Sequence, residues 1–152
     1  MSRSASAGQP EFFTDRSLGR YIVPNALRDM GLVVHTMAET YGERAGQGVE
    51  DEDWLALCGH RSWVALHKDH AIGRPTQGQP RRELRSLIEH RVRSFCIMSQ
   101  SISAEEIIVR YRADLRRLLN IATARPGPYL YGLYGDGMRE VWPAEWRRRG
   151  VL

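Results

Sequence analysis

The chain is poor in cysteine and has no long apolar run, and each shortage excludes a class of protein. Only two of its 152 residues are cysteine, Cys58 and Cys96, and both lie in apolar segments without metal-type spacing. A disulfide scaffold is therefore excluded, and two buried thiols in a reducing, cytoplasmic setting are expected. No apolar stretch reaches the roughly eighteen residues that a membrane-spanning helix requires, so no contact with a membrane is expected.

Lysine is nearly absent from the chain. Of the 22 basic residues, 21 are arginine and one is lysine. The one lysine, Lys68, directly precedes Asp69. Lysine presents a compact ammonium charge, whereas arginine presents a broad planar fork. A lysine at this single place indicates a local need for the compact charge.

The net charge of +4 hides an uneven distribution. Residues 1–80 contain eight basic and ten acidic residues, whereas residues 81–152 contain fourteen basic and eight acidic residues. An acidic front half beside an arginine-rich back half is typical of a metal site next to a surface that binds a phosphate backbone. A solvated basic helix face, or a surface for an acidic protein partner, would give the same pattern.

Short apolar segments alternate with helical patterns along the chain, which indicates an α/β fold. The strand-like segments are Glu11–Thr14, 32–36, 63–66 and 92–98. Strands that alternate with helices predict a mostly parallel central sheet flanked by helices. The length of 152 residues fits one domain. Near the C-terminus, two apolar segments flank Gly-Asp-Gly at 135–137, which predicts an antiparallel hairpin.

Glycine and proline mark the expected ends of helices and the loops. A helix is predicted over 17–30, with a kink or a second start at Pro24. Residues 41–47 are expected to form a glycine-bearing loop, and 71–80 another. A helix that starts near Asp51 is expected to end at Gly59.

Carboxylates follow two of the strand-like segments. Asp15 directly follows Glu11–Thr14, and Asp69 follows the strand-like segment at 63–66 after two further residues. Because parallel α/β sheets bind ligands outside the carboxyl ends of their strands, these two side chains are expected at one site. The acidic run at 50–53 opens the helix between them and supplies a third carboxylate, Asp51, with Glu52 or Asp53 as less favoured choices. Three carboxylates predict a Mg²⁺ or Mn²⁺ site.

Each of these acids also has a structural explanation. Asp15 would cap the helix after it, the acids at 51–53 would be favoured by a helix N-terminus, and Asp69 would be a turn residue. A zinc site formed by His67, Asp69 and His70 is disfavoured, because His67 follows a strand and the chain has no HExxH motif or cysteine pair. No nucleophile elbow, P-loop or dinucleotide fingerprint is present.

The order and spacing of these motifs resemble the PIN-like domains, most closely the toxin-type proteins of bacterial toxin–antitoxin pairs. The resemblance rests on the segments 12–19, 46–57 and 63–69, and it covers roughly residues 11–135. It implies a parallel sheet core and a Mg²⁺- or Mn²⁺-dependent ribonuclease that hydrolyses an RNA phosphodiester with a metal-activated water. It also implies a cognate antitoxin as protein partner, and it allows a homodimer.

The resemblance places the family's acids on three positions of this chain. The acid that ends the first strand falls on Asp15, the acid that starts the helix falls on Asp51, and the last acid falls on Asp69. Lys68 and Arg16 lie beside the last and the first acid, where a basic side chain would stabilise the phosphate. The expected catalytic set is therefore Asp15, Arg16, Asp51, Lys68 and Asp69.

Two departures and two alternative functions accompany this resemblance. Relatives often carry a second acid soon after the last one, where this chain has His70 and Ala71. A flexible leader at 1–10 and a mobile basic tail at 143–152 are expected around a PIN-like domain at 11–142. The leader and the part of the tail at Trp146–Arg149 have no counterpart in the family. A non-catalytic RNA- or protein-binding module and a DNA-directed nuclease remain open alternatives, since no residue pattern reports recognition of the 2′-hydroxyl.

Overall fold

Six strands form one sheet in the order β2-β1-β3-β4-β5-β6. The computed structural model describes residues 8–69, 71–99 and 101–150. The strands are β1 (Glu11–Thr14), β2 (Val33–Thr36), β3 (Trp63–Lys68), β4 (Arg93–Ile97), β5 (Tyr129–Tyr134) and β6 (Gly137–Trp142). The helices are α1 (Ile22–Asp29), α2 (Met37–Tyr41), α3 (Glu43–Gly46), α4 (Asp51–Arg61), α5 (Arg82–Glu89), α6 (Ala104–Ala124) and α7 (Ala144–Arg148).

The predicted α/β class and the mostly parallel sheet are confirmed. Strands β1 to β5 pair in parallel, and only β6 runs antiparallel, as the second strand of the predicted hairpin. Two apolar clusters cover the two faces of the sheet. The first contains the buried side chains of α1 and α6, and the second contains those of α4, α5 and α7. None of the helices in the described ranges combines the length and the apolar composition needed to cross a bilayer.

The predicted helix at 17–30 is divided in two. A 3-10 turn spans Arg16–Leu18, and α1 begins only at Ile22. Pro24 therefore lies in the first turn of α1, where its missing N–H removes no hydrogen bond within the helix. The second of the two alternatives, a new start near Pro24, is the one that the structure has.

The predicted loop at 41–47 is wrong. Two short helices, α2 and α3, occupy 37–46, and they are too short to produce an apolar period. Thr36 caps α2, because its hydroxyl accepts from the backbone N–H of Glu39 at 3.1 Å while the Glu39 carboxylate accepts from the N–H of Thr36. Reciprocal capping of this kind explains a one-turn helix that periodicity cannot detect.

Gly59 does not end α4, contrary to the expectation. The helix continues to Arg61 and ends at Ser62, whose φ of 57° is left-handed. Gly59 is needed for another reason, since a Cβ built there would overlap the carbonyl oxygen of His90. The glycine thus allows α4 to approach the residue that ends α5.

The expectation of a mobile tail after β6 is also wrong. Residues Ala144–Arg148 form α7, and the Trp146 side chain is only 2% exposed. The Trp146 indole donates to the carbonyl oxygen of Gly73 at 2.9 Å. Of the leader predicted at 1–10, residues 1–7 lie outside the described residues.

Candidate metal centre

Two neighbouring parallel strands deliver acids to the same edge of the sheet. Strands β1 and β3 are in register at Thr14 and Leu66, and the backbone N–H of Asp15 donates to the carbonyl oxygen of Leu66 at 3.3 Å. Asp15 follows β1 directly, and Asp69 follows β3 directly. Both carboxylates therefore lie at the carboxyl ends of central strands, as expected for a ligand site in an α/β sheet.

A cavity of about 270 Å³ opens at this edge, and the three predicted acids all contribute to its lining. Asp15 directly follows β1, Asp69 directly follows β3, and Asp51 lies in the first turn of α4. Lys68 and Arg16 line the same cavity. The structure thus brings together all five residues of the expected catalytic set.

Only one acid of the run at 51–53 faces the cavity. Glu52 pairs with Arg82, with 2.5 Å between its Oε1 and the Nε of the arginine, and Asp53 is exposed. Neither of them lines the cavity, whereas Asp51 does. Successive residues of an α-helix are rotated by about 100°, so only one of the three can point toward the strand ends. The less favoured choices, Glu52 and Asp53, are therefore not part of the lining.

Asp15 is the most buried of the acids, with 7% of its surface exposed. Burial raises the pKa of Asp15 to about 7, and the negative charge of Asp51 adds to the effect, while hydrogen bonds from Ser17 oppose it. The Ser17 hydroxyl donates to Asp15 Oδ1 and accepts from the backbone N–H of Lys68 at 3.0 Å. One serine thus fixes the first acid relative to the lysine that precedes the last acid.

The backbone of Asp69 is held by a thiol on the neighbouring strand. Cys96 of β4 accepts from the N–H of Asp69 at 3.1 Å and donates to its carbonyl oxygen at 3.2 Å. The Asp69 carboxylate accepts from the N–H of Ala71 at 2.8 Å, so it also closes a turn. Burial keeps the pKa of Cys96 well above its ordinary value, so the thiol retains the proton that it donates.

A tryptophan and a histidine line the cavity together with Asp51. The Trp54 indole donates to Asp51 Oδ1 at 3.0 Å, and its ring lies 5.7 Å from the His67 ring. His67 is 3% exposed, and its Nε2 lies 2.5 Å from the hydroxyl of Ser94. Burial lowers the pKa of His67 to about 4, so the imidazole is neutral at pH 7. His67 is therefore a satisfied core residue, and His70, its expected companion in a zinc site, lies outside the described residues.

Arg16 lines the cavity, but its guanidinium is directed elsewhere. Its Nη1 lies within 3.2 Å of the carbonyl oxygens of Gly46, Gln47 and Val49. These carbonyls belong to the segment that leads into α4. The contacts indicate that Arg16 positions the backbone that precedes Asp51. Because they occupy part of the guanidinium, fewer of its N–H groups are free for the expected phosphate contact.

Lys68 is half-buried and, within the described ranges, forms no ion pair. Its ammonium is therefore available to an anionic group in the cavity.

By contrast, two arginines of the arginine-rich helix α6 form hydrogen bonds with the hairpin. Arg110 donates to the carbonyl oxygen of Leu133 at 3.0 Å, and Arg117 donates to that of Met138.

The donor set fits a divalent cation that keeps part of its water shell. In the described part of the chain, no three Asp, Glu, His or Cys side chains are placed closely enough to hold an ion by themselves. The acids line a cavity of about 270 Å³ instead, which has room for several waters, since one water takes up roughly 30 Å³ in the liquid. Mg²⁺ dehydrates reluctantly and is often bound through one or two carboxylates plus water. Oxygen ligands around a space of this size suit such an ion.

One acid of the cavity was not expected from the sequence. Glu83, in the first turn of α5, lines it together with Asp15, Asp51 and Asp69. Glu83 follows the segment 71–80, which has no periodicity that would position it. An acid in the first turn of a helix is common because of the helix dipole, so its presence there does not indicate a site.

Comparison with known proteins identifies a family and a relative. A family model described as "PIN like domain" matches residues 10–99. A protein of Mycobacterium tuberculosis (strain ATCC 25618 / H37Rv), provisionally named ribonuclease VapC45, is 36% identical over 132 residues. The aligned part covers 87% of this chain and 91% of that protein. No solved structure matches the chain significantly.

Proposed function

The chain belongs to the PIN-like domain family, and from this premise we propose that it is a divalent-metal-dependent endoribonuclease, the toxin of a type II toxin–antitoxin pair. One observation carries the proposal. Three acids from three separate segments, Asp15, Asp51 and Asp69, line one cavity together with the only lysine of the chain. The name of the M. tuberculosis relative supports RNA as the substrate class.

The three acids would hold Mg²⁺ or Mn²⁺ at the carboxyl edge of the sheet. A bound ion of this kind lowers the pKa of a water and neutralises negative charge on a phosphodiester. Asp15 and Asp69 are fixed by Ser17 and Cys96 respectively, and Asp51 is fixed by the Trp54 indole. The contacts of Ser17 and Trp54 hold the carboxylates of Asp15 and Asp51, whereas Cys96 holds the backbone of Asp69, whose carboxylate accepts from the N–H of Ala71. Such positioning before substrate arrives is the usual requirement for a metal site.

Lys68 would stabilise the charge that develops on the phosphate. Lys68 lines the cavity, and its backbone N–H donates to the Ser17 hydroxyl, which in turn donates to Asp15. A positioned cation next to a reacting phosphate contributes mainly to the transition state. Arg16 would act less directly, by holding the segment that precedes Asp51.

Calorimetric titration with Mn²⁺ tests the metal site. The wild type should bind, and Asp15→Asn and Asp69→Asn should each abolish measurable binding while circular dichroism shows an intact fold. Asp53→Asn is the matched control, because Asp53 is exposed and does not line the cavity. Absence of Mn²⁺ binding in a folded wild type would favour the non-catalytic binding module.

Cleavage of matched RNA and DNA oligonucleotides tests the reaction and the substrate. Single-stranded RNA should be cleaved with Mg²⁺ or Mn²⁺ and remain intact with a chelator. Lys68→Gln should lower the rate about 100-fold without weakening Mn²⁺ binding, because the lost charge acts on the phosphate. Arg85→Gln, on the exposed side of α5, is the control and should cleave normally. Equal cleavage of DNA would support the DNA-directed nuclease instead.

A cognate antitoxin is the partner that the toxin role requires, and the proposed place of action is the cytoplasm. Both cysteines, Cys58 and Cys96, are unpaired and buried, which suits a reducing compartment. Arg112 and Arg116 of α6 are exposed and offer positive charge to RNA or to an antitoxin.

Expression of the chain alone in bacteria should arrest growth, and expression of the Asp15→Asn variant should not. Light scattering of the purified chain would report whether it forms a homodimer.

A further inference from the structure

Two further cavities lie next to the cavity that the three acids line. The first, of about 30 Å³, shares Arg16 with the lining of the metal centre. The second, of about 200 Å³, which we name the side cavity, shares four residues with the first, namely Arg20, Thr36, Ala38 and Glu43. Because neighbouring cavities have lining residues in common, the three form a row that begins at the metal centre and ends at the side cavity.

The sheet places the side cavity beside Asp15. Strands β1 and β2 are parallel neighbours, and their last residues, Thr14 and Thr36, are in register. Thr36 lines the side cavity, and Asp15 directly follows Thr14. Neighbouring strands lie only about 4.8 Å apart. A substrate strand held at Asp15 can therefore reach the side cavity with an adjacent part of the same strand.

The side cavity presents an aromatic ring to solvent. Tyr21 lines it with 62% of its surface exposed, and every other tyrosine, tryptophan and phenylalanine in the described ranges is buried or half-buried. The Tyr21 hydroxyl donates to Oε1 of Glu43 in α3 at 3.5 Å, across the cavity from α1. The core makes little use of this ring, and an unpaired base of a single strand stacks on rings of this kind.

Two polar side chains of the side cavity suit the rest of a nucleotide. The backbone N–H of Asn25 donates to the carbonyl oxygen of Tyr21 at 2.8 Å, so the two residues lie one helical turn apart and line the same cavity. The exposed Asn25 amide offers both a donor and an acceptor, as the edge of a base requires. Arg20 pairs with Glu43 at 3.4 Å, but such a solvent-exposed pair is weak, so the guanidinium can turn to a phosphate instead.

We propose that the side cavity is a base-binding subsite for the RNA strand, in which an unpaired base stacks on Tyr21 and the Asn25 amide contacts the edge of that base. The inference rests on the proposed function, because it requires an RNA strand at the three acids. It deepens that function by making single-stranded RNA the preferred substrate, since a base in a duplex reaches the ring only after it is unpaired and unstacked.

Cleavage kinetics of the full chain on single-stranded RNA, with Mg²⁺ or Mn²⁺, test the proposal. Tyr21→Ala should raise KM about tenfold or more and leave kcat within about twofold, because stacking binds the substrate without acting on the phosphate. Tyr21→Phe keeps the ring and should keep the KM of the wild type. Ile22→Ala is the matched control, since Ile22 is the next residue, is 66% exposed and lines none of the three cavities. Its KM should also be unchanged.

Oligonucleotides that each lack one base separate stacking from a structural role of Tyr21. For the wild type, removal of the base at one position should raise KM about tenfold, whereas for Tyr21→Ala the same removal should change KM little, because the ring that it contacts is already absent. A raised KM in Tyr21→Ala that is equally sensitive to every missing base would make Tyr21 a structural residue and overturn the proposal.

Two other outcomes distinguish this proposal from the function on which it rests. Equal KM values for the wild type and Tyr21→Ala, with RNA cleaved by both, would overturn the base-binding subsite while the proposed function stands, and would leave the side cavity to the antitoxin. Absence of RNA cleavage by a folded wild type would overturn both.

Discussion

The indole N–H of Trp54 and the carboxylate of Asp51, one helical turn apart in α4, are joined by a hydrogen bond of 3.0 Å. This hydrogen bond restricts the orientation of the Asp51 carboxylate, because the Trp54 side chain is itself held in the core. Trp54 is 2% exposed, and its ring stacks on that of Phe13 with 5.5 Å between the ring centroids. The orientation of Asp51 therefore depends on an aromatic core residue.

We expect Trp54→Phe to weaken Mn²⁺ affinity about tenfold, because a ring remains in the core but the donor to Asp51 is lost. Trp63→Phe is the control, since Trp63 stacks on the same Phe13 at 5.9 Å and does not line the cavity. Calorimetry and urea unfolding of both variants provide the measurement. A similar loss of affinity in Trp63→Phe would assign the effect to general loosening of the core.

Asp15→Asn is expected to stabilise the metal-free protein by on the order of 1–3 kcal/mol at pH 8. The folded-state pKa of Asp15 is about 7, above the ordinary 3.8, so the ionised carboxylate opposes folding fully only above pH 7. Asparagine removes the charge and can still accept from Ser17. Urea unfolding in chelator measures the change, with exposed Asp53→Asn as the reference. A loss of stability in Asp15→Asn would show that attractive contacts outweigh the burial of the charge.

Trp146→Phe should lower the free energy of unfolding by about 1–2 kcal/mol more than Trp142→Phe. The Trp146 indole donates to the carbonyl oxygen of Gly73, whereas the buried indole nitrogen of Trp142 has no hydrogen-bond partner. Hydrogen exchange should also rise in 71–80 for Trp146→Phe, because that segment loses its link to α7. Equal destabilisation by the two substitutions would mean that ring burial alone matters.

Gly59→Ala should destabilise the fold by about 2 kcal/mol or more, although alanine is the better helix former. The added methyl group meets the backbone of His90, which cannot move aside as a flexible side chain would. Gly48→Ala serves as control, since the nearest atom to its added Cβ is 3.8 Å away. Thermal unfolding of both variants decides whether the approach of α4 to the end of α5 requires glycine.

The sequence predicts the strands and the acids that directly follow them, because both depend on the local residue pattern. Strand β1 occupies the predicted range, and the apolar segment before Asp69 forms β3, so both acids were expected at the carboxyl edge. The choice of Asp51 over Glu52 and Asp53 depends on helix rotation and could not be made from composition. The assignment of these residues to catalysis stays a prediction.

The remaining differences arise from contacts between distant parts of the chain. Gly59 resembles a helix end in sequence, but its role is set by His90, 31 positions later. Trp146 resembles part of a basic tail, and its partner Gly73 lies 73 positions earlier. Glu83 lines the cavity from α5, and its neighbour Arg82 pairs with Glu52 of another helix. Periodicity within a short window contains no information on such pairs.

The link between Trp146 and Gly73 also sets an order of events during translation. Every acid of the cavity lies between positions 15 and 83, and Ile72, another lining residue, directly precedes Gly73. Helix α7, which holds the carbonyl of Gly73, is synthesised only after both strands of the hairpin. During translation, all four acids are therefore synthesised well before α7 can donate to the carbonyl oxygen of Gly73. The part of the cavity next to Ile72 is thus fixed only late in synthesis.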